Sequence, residues 1–343
     1  MRFAIFFFAA SVSASQLVGP LVTARRGASA TLLQDGRVLV AGGAGAGNGS
    51  LNRAEIYDPK TQTFRATSMP MNTTHGIPAA VLLNDGRVLI SGGDSISAIV
   101  EIYDPATDRF TVPTQPLTDH VNAPLVKLHD GRVLLAAGTD HQQSVNSAVE
   151  IYDPASNTWT FGGNLAQARQ SQGEVVLPDG RVLFIGGFVN GSPTFPDTEI
   201  FDVMMKTSAI VANARYAAPA AVQLADGRAA VVNINSFYTF DLGSQTFRQV
   251  GKTLPVSQPS VTLLTSGALL ITSGHLTSGA ASPLVLTLDP NTGIATQTDT
   301  LSVGRDLSTA VLLNDGSVLV IGGTGPLASA ELVRMPRRRP ASH

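Results

Sequence analysis

Six residues that can donate a hydrogen bond or carry positive charge recur at one place in the sequence, ten residues ahead of a tight turn. They are Arg25, His75, His120, Arg169, Tyr216 and Arg305, and the seventh occupant of that place is Val256. Arginine and histidine gathered on one face hold carboxylates and other anions through charge-assisted hydrogen bonds. Two further histidines, His141 and His275, fall in Gly-, Ser- and Asn-rich loops that would share this face. Five residues ahead of the same turns stand Ala30, Ala80, Leu125, Ala221, Val261 and Ala310, and in one unit Glu174. A lone acid where the other units are apolar is a candidate general acid or base. The alternatives are a partner in Lys127 or a water-filled channel. The histidines, taken with Asp94 or Asp140, lack the local spacing of metal ligands, so no metal or other cofactor is assigned.

These residues need elements to hold them, and the turns reveal the elements. Asp35-Gly36, Asp85-Gly86, Asp130-Gly131, Asp179-Gly180, Asp226-Gly227, Ser266-Gly267 and Asp315-Gly316 are separated by 50, 45, 49, 47, 40 and 49 residues. Each lies between short apolar runs, as in Ala30 to Leu33 and Arg37 to Val40, which is the strongest short-range signal of a β-hairpin. Glycines follow most hairpins (Gly42-Gly43, Gly92-Gly93, Gly138, Gly186-Gly187, Gly274, Gly322-Gly323), then a polar loop. A third strand of the type Glu55-Ile56-Tyr57-Asp58-Pro59 recurs at Glu101, Glu150 and Glu199. An aromatic residue (Phe64, Phe110, Trp159, Phe247) then marks a fourth. Four short antiparallel strands in units of about 47 residues describe a blade of a β-propeller, with seven blades in the chain.

The units resemble kelch repeats: Gly-Gly after the second strand, Tyr-Asp-Pro closing the third, then Trp or Phe, with Arg opening the next unit. The resemblance weakens in unit five, where Asn233-Ile234-Asn235 replaces Gly-Gly, and in unit six, where Leu286-Thr287-Leu288-Asp289 replaces Glu-Ile-Tyr-Asp. It implies an all-β, seven-bladed propeller with four antiparallel strands per blade. It also implies a ligand-facing role for Arg25, Arg169 and Arg305 at the rim of the central channel, with His75, His120 and Tyr216 as departures. The same arginines could instead satisfy backbone carbonyls as architecture. Arg37, Arg87, Arg132, Arg181 and Arg228 after the turns are expected to hydrate the turn or pair with a neighbouring blade, and the recurring glutamates to stabilise contacts between blades. Galactose oxidases of similar fold need a cysteine linked to a tyrosine beside copper, and this chain has no cysteine. Exported N-acetylneuraminate epimerases share the propeller, which keeps open an enzyme acting on an acidic sugar through Glu174.

Blade seven lacks a fourth strand of its own, because only Arg334 to His343 follow Ala330 to Val333. The segment from Gln16 to Leu21 is expected to supply it and close the ring. Ahead of it, Met1-Arg2, the apolar run from Phe3 to Val12 and Val12-Ser13-Ala14 read as a signal peptide over residues 1–14, cleaved after Ala14. That run is too short to span a bilayer, so no transmembrane anchor is expected. One domain over residues 15–334 and a basic tail over 335–343 remain, secreted or periplasmic. The sequons at Asn48, Asn72 and Asn190 matter only if the source glycosylates. Charged residues make up 14% of the 343, with 23 basic against 25 acidic, which excludes a polybasic nucleic-acid binder and a disordered acidic chain. Without cysteine there is neither a disulfide framework nor a cysteine nucleophile. The resulting expectation is a monomeric binding module for a protein or carbohydrate ligand, anionic if the arginines face it.

Overall fold

A computed structural model describes residues 15–92, 99–189, 196–212, 216, 219–233, 236–252 and 254–335. The leader, Gly93, Asp94, Asn190, Ile234, Asn235 and the arginines of the tail lie outside the described residues. Six four-stranded antiparallel sheets are built from strands in chain order, beginning with Ser29–Leu32, Val38–Ala41, Ala54–Asp58 and Thr63–Ala66; in the sixth blade the short strand His275–Leu276 intervenes and pairs outside the sheet. The seventh combines Thr309–Leu312, Val318–Ile321 and Ala330–Val333 with Gln16–Leu17, which pairs Gln16 with Leu332 and Leu17 with Glu331. Val18 N–H adds one bond to the Ala330 carbonyl at 3.1 Å. The ring therefore closes through the N-terminal segment, but by a strand of two residues.

The hairpin chemistry is local. In blade one the Gly36 N–H bonds the Leu33 carbonyl at 3.0 Å, and Gly36 takes a φ of 88°, which glycine adopts without a steric penalty. Asp35 accepts the Arg37 N–H at 3.0 Å and pairs with the Arg37 guanidinium at 2.6 Å. Arg87, Arg132, Arg181 and Arg228 repeat this pairing with the aspartate of their own turns, and Arg228 also donates to Asn291 Oδ1 of the neighbouring blade six at 2.7 Å. Cross-strand aromatic pairs explain the Tyr and Trp/Phe offsets: Tyr57 lies opposite Phe64, Tyr103 opposite Phe110 and Tyr152 opposite Trp159, with ring centroids 4.8 to 5.0 Å apart.

The core is distributed. A strand in a blade has two faces, and each packs against a different neighbour, so second strands such as Val38–Ala41 read as unbroken apolar runs and are buried throughout. Seven apolar clusters result, one at each seam between successive blades, including the seam of blades seven and one, where Leu319 and Ile321 meet Val38 and Val40. The first strands of the blades contact one another in order around the axis, the last returning to the first.

Candidate functional site

Each chain segment that enters a blade passes over the loop face of the ring on its way to the axis. The structure places the six sequence-derived residues partway along that path, inside the blades. Arg25, His75, His120, Arg169 and Arg305 are all buried, and all but His120 have no exposed surface. Each meets the glutamate of its own third strand: Arg25–Glu55 at 2.5 Å, His75–Glu101 and His120–Glu150 at 3.2 Å, Arg305–Glu331 at 2.7 Å, and Arg169–Glu199. Each also reaches a main-chain carbonyl just after its second strand, as Arg25 Nη1 does at Gly42 (2.8 Å) and His120 Nδ1 at Ala137 (2.7 Å). The glutamates in turn accept N–H groups of the entering segment, Val22 and Thr23 at Glu55 (2.7 and 2.9 Å). This clasp ties the connection from one blade to the body of the next.

Electrostatics follow the geometry. Burial pulls the Arg25 and Arg169 guanidiniums below their ordinary value, opposed by Glu55 and Glu199. Burial works against ionisation of Glu101 too, but the His75 ring and the Asn72 and Thr73 groups outweigh it and hold the carboxyl below its usual range. Blades five and six replace both partners together. Tyr216 stacks on Tyr238 with centroids 5.2 Å apart, and Val256 joins the apolar cluster that contains Leu286. A buried charge without its partner is costly, so the pair is exchanged as a unit. The side chains expected to ring the mouth with positive charge are thus neutralised in the interior.

The same residues also join neighbouring blades through their main chains. The Arg25 carbonyl accepts the Gly323 N–H of blade seven at 3.0 Å, His75 that of Gly43 at 2.8 Å, Arg169 that of Gly138 at 2.8 Å, and Tyr216 that of Gly187 at 2.9 Å. The preceding residue has left-handed backbone, and at Gly42, Gly186 and Gly322 a β-carbon would stand 2.5, 2.0 and 2.4 Å from the next blade's carbonyl. Close backbone approach across the seam is what the Gly-Gly motif permits.

Two residues further along each entering segment, the chain reaches the channel mouth. The described occupants are Gly27, Ile77, Asn122, Ser171, Gln258 and Leu307, and all except the half-buried Gly27 are exposed. Asn122, Ser171, Gln258 and Leu307 have positive φ, between 49° and 56°. Ile77 and Leu307 are 60% and 42% exposed, and Ile77 Cγ1 lies 3.5 Å from where a β-carbon on Gly27 would be. Sequence reasoning passed over this ring because its residue types carry no signature. The usable signal was positional: the step before each first strand.

The remaining candidates sit apart. His141 pairs with Asp119 at 3.2 Å and His275 with Asp306 at 3.1 Å, both on the loop face. Glu174 lies on the inner strand of blade four, its Oε1 buried without a hydrogen-bond partner, and burial pushes its carboxyl well above the usual range. Lys127 does not partner it; its Nζ donates to the Leu82 carbonyl at 2.8 Å. A carboxyl whose folded-state pKa is raised favours folding below its unfolded value and loses that contribution as pH rises. Glu174→Gln should therefore stabilise the protein at pH 7 by about 1–2 kcal/mol, the scale of an unsatisfied buried polar group. The gain should shrink toward zero near pH 4 in chemical denaturation, and a gain independent of pH would show that ionisation is not its source. Among the described sequons, Asn48 and Asn72 are both exposed; the Asn72 amide donates to Glu101 at 2.6 Å and Asn48 Oδ1 accepts from Arg26 at 2.9 Å. Among the described residues no group of three His, Cys, Asp or Glu converges to hold a metal ion, and no helix is long and apolar enough to cross a membrane.

The Kelch motif family model matches residues 25–68 and 128–166. No curated protein sequence matches the chain. Among solved structures, a fungal alcohol oxidase of the AA5 family, described in complex with copper, superposes with a TM-score of 0.73 at 17% identity, covering 93% of this chain and 76% of that one. At that identity the likeness concerns the fold. The donor set of this chain, without cysteine and without a three-residue cluster among its described residues, does not fit a copper centre built on cysteine-linked tyrosine.

Proposed function

We propose that this kelch-repeat propeller is an exported binding module that takes a carbohydrate or a protein segment at its loop-bearing channel mouth. The observation that supports the reading is the ring Gly27, Ile77, Asn122, Ser171, Gln258 and Leu307. Four of these non-glycine residues hold left-handed backbone, a cost that persists where the surrounding structure imposes it and that clusters at ligand sites. Amide and hydroxyl groups beside an exposed Ile and Leu match a neutral partner with both hydrogen-bonding and apolar edges, such as a sugar ring or a protein loop. An enzyme acting on an acidic sugar through Glu174 has less support, because the guanidiniums that would hold the anion are paired with glutamates inside the blades.

Thermal shift of residues 15–343 against a panel of neutral and acidic glycans tests the carbohydrate arm, and capture from extracellular or periplasmic extract tests the protein arm. A ligand at one hundred times its Kd should stabilise the fold by about 2.7 kcal/mol. Ile77→Asp should weaken that ligand at least tenfold, about 1.4 kcal/mol, with an unchanged ligand-free melting temperature. Binding that survives Ile77→Asp and Leu307→Asp together would move the ligand away from the mouth.

A further inference from the structure

On the loop face of blades one, three and four, the residue after the buried Arg or His makes a short main-chain bridge to the residue after the Gly-Gly or Ala-Gly pair: Arg26 with Ala44, Val121 with Thr139, Gln170 with Phe188. The scaffold repeats while the side chains vary. In blade six the bridge extends to a two-stranded ladder, Val256–Ser257 with His275–Leu276, in which Ser257 and His275 are direct partners. Direct partners in an antiparallel ladder project on one side with β-carbons about 4.5–5.5 Å apart. In blade seven the corresponding position is Asp306, and the His275 ring crosses the seam to it, with Nε2 3.1 Å from Oδ2. Thr324 Oγ1 donates to the same oxygen at 2.9 Å and fixes the carboxylate. A graded exposure runs through the three: Asp306 side chain 6%, His275 38%, and Ser257 partly exposed. The second carboxylate oxygen, Oδ1, is buried with no hydrogen-bond partner, so this acid is not consumed by structure elsewhere.

We propose that Ser257, His275 and Asp306 form a nucleophilic acyl-transfer site at the seam of blades six and seven, acting on esters of hydroxyl-bearing molecules. A buried acid orienting a half-exposed imidazole beside a serine is the arrangement in which a hydroxyl becomes a nucleophile. Ser257 Oγ attacks the ester carbonyl while its proton passes to His275 Nδ1, the nitrogen not engaged by Asp306. The imidazolium, stabilised by Asp306, returns that proton to the departing alkoxide oxygen as the C–O bond breaks. Water then attacks the Ser257 acyl ester, giving up a proton to His275, and the carboxylic acid leaves with Ser257 restored. The site adjoins the mouth ring, since Ser257 precedes Gln258 and Asp306 precedes Leu307, but its test does not depend on a ligand there.

Full-length mature chain treated with a fluorophosphonate should be labelled at Ser257, located by peptide mass spectrometry. Labelling should fall at least about a hundredfold in His275→Ala, the scale of a lost general base. Hydrolysis of p-nitrophenyl acetate should vanish in Ser257→Ala and persist in Ser308→Ala and His141→Ala, which remove a nearby buried hydroxyl and another loop-face imidazole. Melting temperatures of the variants report folding separately, and Ser257→Ala is too small a change to disturb the ladder. An unlabelled Ser257, or labelling undiminished in a folded His275→Ala variant, overturns the proposal.

Discussion

Arg25→Val should destabilise the propeller by about 3–5 kcal/mol, the cost of leaving the buried Glu55 carboxylate without its partner. Adding Glu55→Leu should return part of that loss. The pair would then resemble blade six, where Val256 and Leu286 share an apolar cluster. Recovery cannot be complete, because Glu55 also accepts the Val22 and Thr23 N–H groups, and these would be left to find water. A double-mutant cycle in chemical denaturant should show a coupling of about 2 kcal/mol, within the range for residues in direct contact. Strictly additive losses would mean that the clasp is not the unit in which these blades are built.

Gly322→Ala should cost about 2–4 kcal/mol and act on the closure of the ring. Its φ is 64°, and a β-carbon would stand 2.4 Å from the Arg25 carbonyl of blade one. Adjacent Gly323 donates to that carbonyl, so pushing the two blades apart breaks the bond as well. Gly316→Ala separates strain from collision: its φ is 83° but nothing lies within 4 Å of the added carbon, so only the backbone cost of about 1 kcal/mol applies. Ala137 holds the same left-handed position in blade three with φ 64° and carries a β-carbon, so that seam accommodates both, and Gly322 is set apart by how close the Arg25 carbonyl stands. Equal losses for the two variants would remove the seam contact from the explanation.

Fold and site were unequally legible. Hairpins, third strands and aromatic offsets could be read because strand pairing and turn chemistry act over a few residues and repeat seven times. The two weakest units, five and six, still form complete blades, since alternating apolar strands survive where the glycines and Glu-Ile-Tyr-Asp do not. The site was harder. Spacing put Arg25, His75, His120, Arg169 and Arg305 correctly on the segments that enter the blades. It could not say which way the side chains turn, and the glutamate that receives them lies 26 or 30 residues further on. Gly27, Ile77, Asn122 and Ser171 share a position rather than a chemistry, so no residue-type pattern singles them out. Ser257, His275 and Asp306 come from two blades and meet only when the seam forms.

The two-residue strand Gln16–Leu17 carries a consequence for the order in which the molecule can be completed. Its partners, Glu331 and Leu332, are synthesised more than 300 residues later. Until they emerge, blade one has no neighbour on its closing side, and the apolar faces of Val38 and Val40 stay open to solvent. Bringing together ends so far apart costs about 5 kcal/mol of chain entropy, by the logarithmic scaling of loop closure. Two paired residues cannot supply that alone, so the apolar seam of blades seven and one must do most of the joining, with the strand acting as a latch. The nascent chain is thus a row of six finished blades with two adhesive ends, and at high concentration the end of one molecule competes with its own beginning for the beginning of another.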